Sequence, residues 1–245
     1  MQHTLFISDL HLRAEQPPAT RLFLDFMQQR APRAEALYIL GDLFEYWAGD
    51  DDLEDPFHQS IVAAMRELDA RGTRVYLMHG NRDLLMGHKL AQASAATLLP
   101  DPTLLDLYGT ATLLVHGDTL CTDDIAYQIY RSQVHDPAWQ QQFLARPLPQ
   151  RKAYIQQLRN RSENEKQYKS SEIMDVNAEA VAALLRQHAY PRLIHGHTHR
   201  RKRHLHTVDG HLCERWVLGD WHDTGNALCC NAEGCTWENF ALQSH

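Results

Sequence analysis

The sequence predicts an α/β protein: a two-layered β-sandwich flanked by helices, with a helical cap inserted into it. Three observations carry that expectation. Five short apolar runs each end in polar residues, helical patterns separate the early runs, and a long helix-like stretch interrupts the series before a β-rich C-terminus.

The apolar runs are Thr4-Ile7, Leu37-Leu40, Arg74-Met78, Thr112-Val115 and Leu193-Ile194, each short enough for a buried strand. Their tails read Ser8-Asp9-Leu10-His11, Gly41-Asp42, His79-Gly80-Asn81-Arg82-Asp83, His116-Gly117-Asp118 and His195-Gly196-His197-Thr198-His199. One grammar recurs five times. In layered α/β proteins ligands gather beyond the carboxyl ends of the strands, so groups far apart in sequence can meet there. Between the early strands, Arg21-Gln29 puts Leu22, Phe23, Phe26 and Met27 on one side, and Phe57-Ala70 does the same with Ile61, Met65 and Leu68. Both should pack on a sheet. From about Asp123 to Ala189 the pattern is mainly helical and rich in large apolar residues, among them Ile125, Ile129, Trp139, Phe143 and Tyr154. After His204, turns alternate with short β-like runs such as Arg215-Leu218, as expected of a second sheet layer.

A length of 245 residues fits one large domain with a sizeable insertion. The expected division is a core of residues 1–122 and 190–245 and an insertion of residues 123–189. The N-terminus runs from Met1 straight into an apolar segment without the features of a signal peptide, and no stretch approaches the roughly 20 apolar residues needed to span a bilayer. Five cysteines, odd in number and without CxxC spacing, indicate neither a disulfide framework nor a zinc knuckle, so a reducing cytoplasm fits. A net charge of -7 argues against a protein that coats nucleic acid. Sixteen histidines raise the question of whether they are scattered or arranged.

They are arranged. Asp9-x-His11 alone is a commonplace pattern, and in extended backbone its two side chains would project to the same side. The weight comes from accumulation: Gly41-Asp42-x-x-Glu45 adds a carboxylate, Gly80-Asn81-Arg82-Asp83 an amide oxygen, His116-Gly117-Asp118 an imidazole, and Gly196-His197-x-His199 two more. A carboxylate can bridge two divalent cations while imidazole and amide oxygen complete the shells without excess negative charge. Asp42 is the natural bridge. Two metals roughly 3.5–4 Å apart can polarise a phosphoryl oxygen and activate water for in-line attack. Nitrogen and oxygen donors without thiolate favour Mn²⁺, two per chain, with Fe, Zn or Mg as substitutes.

The motifs D-x-H, G-D-x-x-E, G-N-R-D, H-G-D and G-H-T-H, in that order over residues 4–199, resemble the calcineurin-like metallophosphoesterase superfamily. The resemblance implies a catalytic dinuclear centre: Asp9, His11, Asp42 and His199 would hold one metal, and Asp42, Asn81, His116 and His197 the other. His195 stands outside that set and reads as a strand-end histidine bonded to backbone. Glu45 and Asp118 read as groups behind the ligands, either structural or orienting the ligating imidazoles, which need an outer carboxylate or carbonyl to fix the tautomer.

Many members of the superfamily carry histidine where this chain has Arg82, a histidine thought to protonate an alkoxide leaving group. Arginine, with a pKa above roughly 12, can clamp a phosphate or stabilise charge but cannot supply a proton. That favours a leaving group that needs none, such as the phosphate monoester expelled from a pyrophosphate. The competing reading is a pair between Arg82 and Asp83. Farther along, Arg146, Arg151, Lys152, Arg159, Arg161, Lys166 and Lys169 face only Glu163 and Glu165, reversing the sign of the whole chain. A cap both basic and apolar suits an anionic lipid at a membrane surface.

The segments His116-Gly-Asp-Thr-Leu-Cys-Thr-Asp-Asp124, Lys169-Ser-Ser-Glu-Ile-Met-Asp-Val-Asn177 and His195-Gly-His-Thr-His-Arg200 narrow the resemblance to a branch acting in lipid A biosynthesis. It implies Mn²⁺-dependent attack of water on the α-phosphorus of a UDP-linked diacylglucosamine. UMP and 2,3-diacylglucosamine 1-phosphate, lipid X, would be released at the cytoplasmic face of the inner membrane. Asn81, Arg82, Asp124, Ser162, Lys166, Lys169 and His197 would contact substrate, although relatives carry Asn or Thr in place of Lys166. A monomer is expected, with no nucleic-acid partner. The alternatives are another dinuclear phosphoesterase acting on a nucleotide pyrophosphate or phosphoprotein, a scaffold that has lost ligands, and a nuclease, which calls for a basic stripe.

Overall fold

Alternate side chains of β1 (Thr4–Ile7) point to opposite faces, and both faces are buried. Leu5 and Ile7 join a cluster with Leu22, Phe23 and Phe26 of α1 (Pro17–Gln29) and Ile61 and Met65 of α2 (Pro56–Ala70). Phe6 joins another with Leu114, Ile194 and Trp216. This strand therefore lies in a sheet covered by helices on one side and by a second sheet on the other. The computed structural model describes residues 2–166, 173–222 and 224–241, with backbone alone over 161–166.

In the first sheet β2 (Ala36–Leu40), β3 (Arg74–Met78) and β4 (Thr97–Leu99) run parallel to β1, and α3 (His88–Ser94) leads into β4. The hairpin of β10 (Thr224–Asn231) and β11 (Gly234–Ala241) adds an antiparallel edge, giving the order β11-β10-β1-β2-β3-β4. The second sheet contains β5 (Thr103–Leu107), β6 (Thr110–Leu114), β7 (Arg192–His195), β8 (Lys202–Val208) and β9 (His211–Val217), in the order β5-β6-β7-β9-β8. Its inner face meets the first sheet through Leu114, Ile194 and Trp216; its outer face packs Leu113, Val115 and Leu193 against α7 (Ala178–Gln187). Each fully buried Leu or Phe in these layers contributes about 1.5–3 kcal/mol. The five strands read from the sequence are all present. The short α3 and β4 escaped that reading because three to seven residues are too few to display a period.

Three insertion helices follow β6: α4 (Ile125–Val134), α5 (Pro137–Leu144) and α6 (Leu148–Lys166). Asp124 caps α4 by accepting from Tyr127 N at 3.1 Å, and Asp136 caps α5 by accepting from Ala138 N at 2.7 Å. The helix α7 falls inside the expected 123–189 insertion, yet Val181 and Leu185 lie on the second sheet. As a packing unit it goes with the core, because its apolar face is completed by strands and not by the other helices.

Lysine and arginine side chains of α6 reach back to the core. The buried Arg151 donates to Ala48 O and to Asp51, and Lys152 Nζ lies 2.6 Å from Asp52 Oδ1. Arg159 Nε donates to Glu45 Oε1 at 3.1 Å. By contrast Ile125 and Ile129 of α4 are 68% and 65% exposed. No helix among the described residues is long and apolar enough to cross a membrane.

One expectation is corrected here. Cys230 and Cys235 stand opposite each other across the β10–β11 hairpin, with Cα atoms 4.1 Å apart, and are joined by a disulfide. A tight turn brings cysteines five residues apart into register, which spacing rules built on CxxC do not capture. Cys121, Cys213 and Cys229 are free.

Candidate metal centre

The seven residues expected to hold metal all sit just beyond strand ends, and both sheets supply them. Asp9 and His11 follow β1, Asp42 follows β2 and Asn81 follows β3; His116 follows β6, and His197 and His199 follow β7. Five of the seven, Asp9, His11, Asp42, His197 and His199, have φ between 49° and 68°. Such left-handed backbone disfavours residues with a Cβ, so the surrounding contacts must impose it. Asp9 and His11 therefore do not meet as an extended pair would. Each strand breaks sharply and turns its next side chain inward, held by backbone bonds such as Asp9 N to Gly41 O at 3.1 Å and His11 N to Asp42 O at 3.0 Å. Gly80 allows the closest approach: a Cβ there would collide with Asp42 Oδ1.

Imidazoles are oriented from behind. His116 Nδ1 donates to Leu40 O at 2.9 Å, which leaves Nε2 facing Asn81 Oδ1 at 3.1 Å and Asp42 Oδ2 at 3.8 Å. His199 Nδ1 donates to Asp220 Oδ2 at 3.1 Å, leaving Nε2 3.4 Å from Asp9 Oδ1 and 3.2 Å from His11 Nε2. His11 Nδ1 lies 3.2 Å from Glu45 Oε2, and its Nε2 is 3.9 Å from Asp42 Oδ2. His197 approaches with Nδ1, 2.9 Å from Asn81 Oδ1. Outer partners of this kind fix the tautomer and aim the remaining nitrogen. Asp42 Oδ2 is thus nearly equidistant from His11 and His116, the placement a bridging carboxylate needs.

Charge is concentrated there. Burial would raise the Asp9 carboxyl, but the hydrogen bond to His199 and the charges of His199, His116 and His11 hold it well below the usual range. Burial opposes protonation of His116, yet Asp42, Asp118 and Asp9 push its pKa up to about 9. His199 rises to about 10 because bonds to Asp220 and Asp9 outweigh its burial. His197 falls to about 4 through burial and the neighbouring charge of His116. Glu45 is held at about 2: burial resists, but His11, Arg82 and Arg159 prevail. A cluster of carboxylates that draws protons onto its imidazoles is one in which divalent cations can take their place.

The donor set fits such cations. Asp9, His11 and His199 offer ligand atoms all within 4.8 Å of one another, as do Asp9, Asp42 and His116, which are all buried. Carboxylate, imidazole and amide oxygen without thiolate suit a hard or borderline divalent metal. A profile of the calcineurin-like phosphoesterases matches residues 3–201. The chain belongs to the calcineurin-like phosphoesterase family. It is also similar, at 56% identity over 230 residues covering 94% of each chain, to a protein of Aromatoleum aromaticum named UDP-2,3-diacylglucosamine hydrolase. Proteins of the same name from Cellvibrio japonicus and Serratia proteamaculans are 47% and 49% identical, covering 98% and 94% of this chain and 100% and 96% of theirs.

Around the phosphoesterase centre, the outer residues divide between orienting an imidazole and holding the turns. Glu45 stands behind His11 as expected. Asp118 takes the structural role: among the described residues it accepts from Tyr127 Oη at 2.6 Å and Arg131 Nε at 2.7 Å, tying the H-G-D turn to α4. Behind His116 the orienting group is a backbone carbonyl, Leu40 O. Asp83 is already engaged by the backbone N–H groups of Asp42, Leu43, Phe44 and Gly80, so it is not the partner of Arg82. Arg82 instead places Nη1 3.8 Å from Glu45 Oε1, while its backbone N donates to Asp42 Oδ1 at 2.8 Å.

Asp124 is the cap of α4, and the side chains of Ser162, Lys166 and Lys169 lie outside the described residues. Asp220 is a contributor the sequence reading missed. It closes the tail Leu218-Gly219-Asp220 after β9, the same pattern of strand followed by polar residues, and could have been read by it.

Proposed function

We propose that this chain hydrolyses the pyrophosphate of UDP-2,3-diacylglucosamine, releasing UMP and 2,3-diacylglucosamine 1-phosphate, in lipid A biosynthesis. The observation that carries the reading is the pairing of two facing donor sets, joined at Asp42, with Arg82 standing where a proton donor would otherwise be expected. Similarity over nearly the whole chain to proteins named for that hydrolysis supports the choice of substrate.

In this reading Asp9, His11, Asp42 and His199 hold one divalent cation and Asp42, Asn81, His116 and His197 the other, with Mn²⁺ as the preferred ion. Bound there, the cations supply Lewis acidity toward the phosphoryl oxygens and activate water. The chain's own residues do the rest. Asn81, Arg82 and His197 orient the phosphate at the carboxyl ends of β3 and β7. Arg82, kept close to Glu45, lends positive charge to the departing sugar phosphate, which is a weak base and leaves without being protonated. Asp124, Ser162, Lys166 and Lys169 belong to the substrate-binding side, in the segment proposed as the cap, residues 123–189. The exposed Ile125 and Ile129 offer apolar surface toward acyl chains at the cytoplasmic face of the inner membrane, on which a monomer rests peripherally.

The decisive assay is turnover of UDP-2,3-diacylglucosamine in ¹⁸O-labelled water with Mn²⁺. Label is expected in UMP. Label in the lipid product would overturn the site of attack, and a chain inert toward this lipid but active on diadenosine tetraphosphate would overturn the substrate.

A further inference from the structure

His195 has no place in the chemistry above, yet it is completely buried between the two turns that present His116, His197 and His199. It ends β7, and Leu193, two residues earlier on the same face, pairs in register with Arg215 of β9. Arg215 is 6% exposed. Burying a guanidinium is costly unless its N–H groups are satisfied. Among the described residues it donates to two imidazole nitrogens, Nη1 to His195 Nε2 at 3.1 Å and Nε to His206 Nε2 at 3.0 Å. An imidazole nitrogen accepts only when it carries no proton, so Arg215 obliges His195 to be neutral with its proton on Nδ1.

That proton has one evident use. Nδ1 donates to Gly196 O at 2.8 Å, and the same carbonyl accepts from Thr198 N at 2.8 Å. Gly196 N in turn donates to His116 O at 2.9 Å, and His197 N donates to the two Asp9 oxygens at 2.9 and 3.1 Å. The peptide between Gly196 and His197 is thereby held so that His197 and His199 enter left-handed conformations, with φ of 68° and 58°. At the same edge the ring lies against the His116 turn. A Cβ placed on Gly117 would be 2.8 Å from His195 Nδ1.

We propose that Arg215 and His195 form a positioning pair: the guanidinium selects the Nδ1–H tautomer of His195, and that hydrogen bond sets the turns carrying three of the proposed metal ligands. The inference rests on the reading of His116, His197 and His199 as ligands. The pair touches neither metal nor substrate, so its loss acts through the turns it sets and shows first as weaker metal binding and lower kcat.

Two substitutions separate this role from simple packing. Asn can place an N–H where His195 Nδ1 stands, whereas Gln reaches only toward Arg215. Mn²⁺ binding to chelator-stripped protein, read by calorimetry alongside kcat and KM, is expected to weaken about 10–100-fold in His195→Gln, the range typical of residues that orient metal ligands. In the double variant His195→Asn with Arg215→Met, which keeps the donor and removes the stranded cation, binding should stay within about threefold of the parent. Parental Mn²⁺ affinity in His195→Gln, or equal damage in both variants, would overturn the proposal. Should His195→Gln fail to fold, the imidazole ¹⁵N spectrum of the parent decides: a bare Nε2 on His195 is expected, and an Nε2–H tautomer would sink the idea. A parent chain that binds no Mn²⁺ would instead remove the ligand reading, and the same spectrum would still judge the hydrogen bond.

Discussion

The metal centre and the insertion are secured by different kinds of contact. At the centre, side chains sit two to four residues past buried strands, and they are held by backbone partners such as Leu40 O behind His116 and by carboxylates on short tethers such as Asp220 behind His199. The insertion is anchored through long side chains: Arg151, Lys152 and Arg159 of α6 reach the segment from Glu45 to Asp52, while Ile125 and Ile129 stay exposed. The first arrangement cannot shift without breaking a sheet. The second can be retuned by changing a few side chains, as suits a part that selects substrate while the chemistry stays constant.

Breaking the centre should have the largest effect. Asp42→Asn removes the carboxylate shared by both donor sets, and kcat should fall by more than the roughly 10²–10³-fold typical of losing one transition-state contact, with secondary structure by circular dichroism unchanged. Asp220→Asn takes away only the acceptor behind His199 and should weaken Mn²⁺ binding by about 10–100-fold in calorimetry.

Acid gives a graded version of the same test. In the metal-free chain His116 and His199 keep their protons up to about 9 and about 10, so below those values a cation must displace them. Mn²⁺ affinity should therefore rise with pH across the neutral range, by about tenfold per unit for each proton displaced, and proton release should be measurable in buffers of different ionisation enthalpy. Affinity independent of pH between 6 and 8 would contradict those raised values.

The smallest effect is expected at the insertion. Arg151→Met should lower stability by about 1–3 kcal/mol, the cost of leaving its carbonyl and carboxylate partners unmet. Proteolysis within the insertion should speed up while Mn²⁺ affinity stays at the parental value. A loss of metal affinity in this variant would mean that the two regions are not separable.

The same contrast explains what could be read in the sequence. Strand tails such as Gly41-Asp42 and Gly196-His197-Thr198-His199 are local patterns, and a strand end places its next residues within narrow limits, so the convergence of the site was legible. The left-handed backbone at Asp9 and His11 was not, because it is imposed by neighbours such as Gly41 O and Asp42 O that only tertiary structure supplies. The basic run from Arg146 to Lys169 reads, with the apolar residues around it, as a cap for an anionic lipid. Three of its members, Arg151, Lys152 and Arg159, are engaged by Asp51, Asp52 and Glu45, which the sequence could not show, since the direction taken by a long flexible side chain depends on what packs against its helix. Composition misled at Cys230 and Cys235, where a hairpin turn decides what spacing alone could not.

Asp9, His11, Asp42 and Asn81 grow out of one sheet, and His116, His197 and His199 out of the other. A cation gripped by both, as proposed, would be a rivet driven through two plates. Between the plates lies the seam of Phe6, Leu40 and Met78 against Leu114, Ile194 and Trp216. Ions that bind the folded form and not the unfolded chain tighten that seam from its rim, by an amount set by their concentration relative to their dissociation constant. If these residues hold the ions as proposed, starving the protein of metal would loosen the joint as well as silence the chemistry.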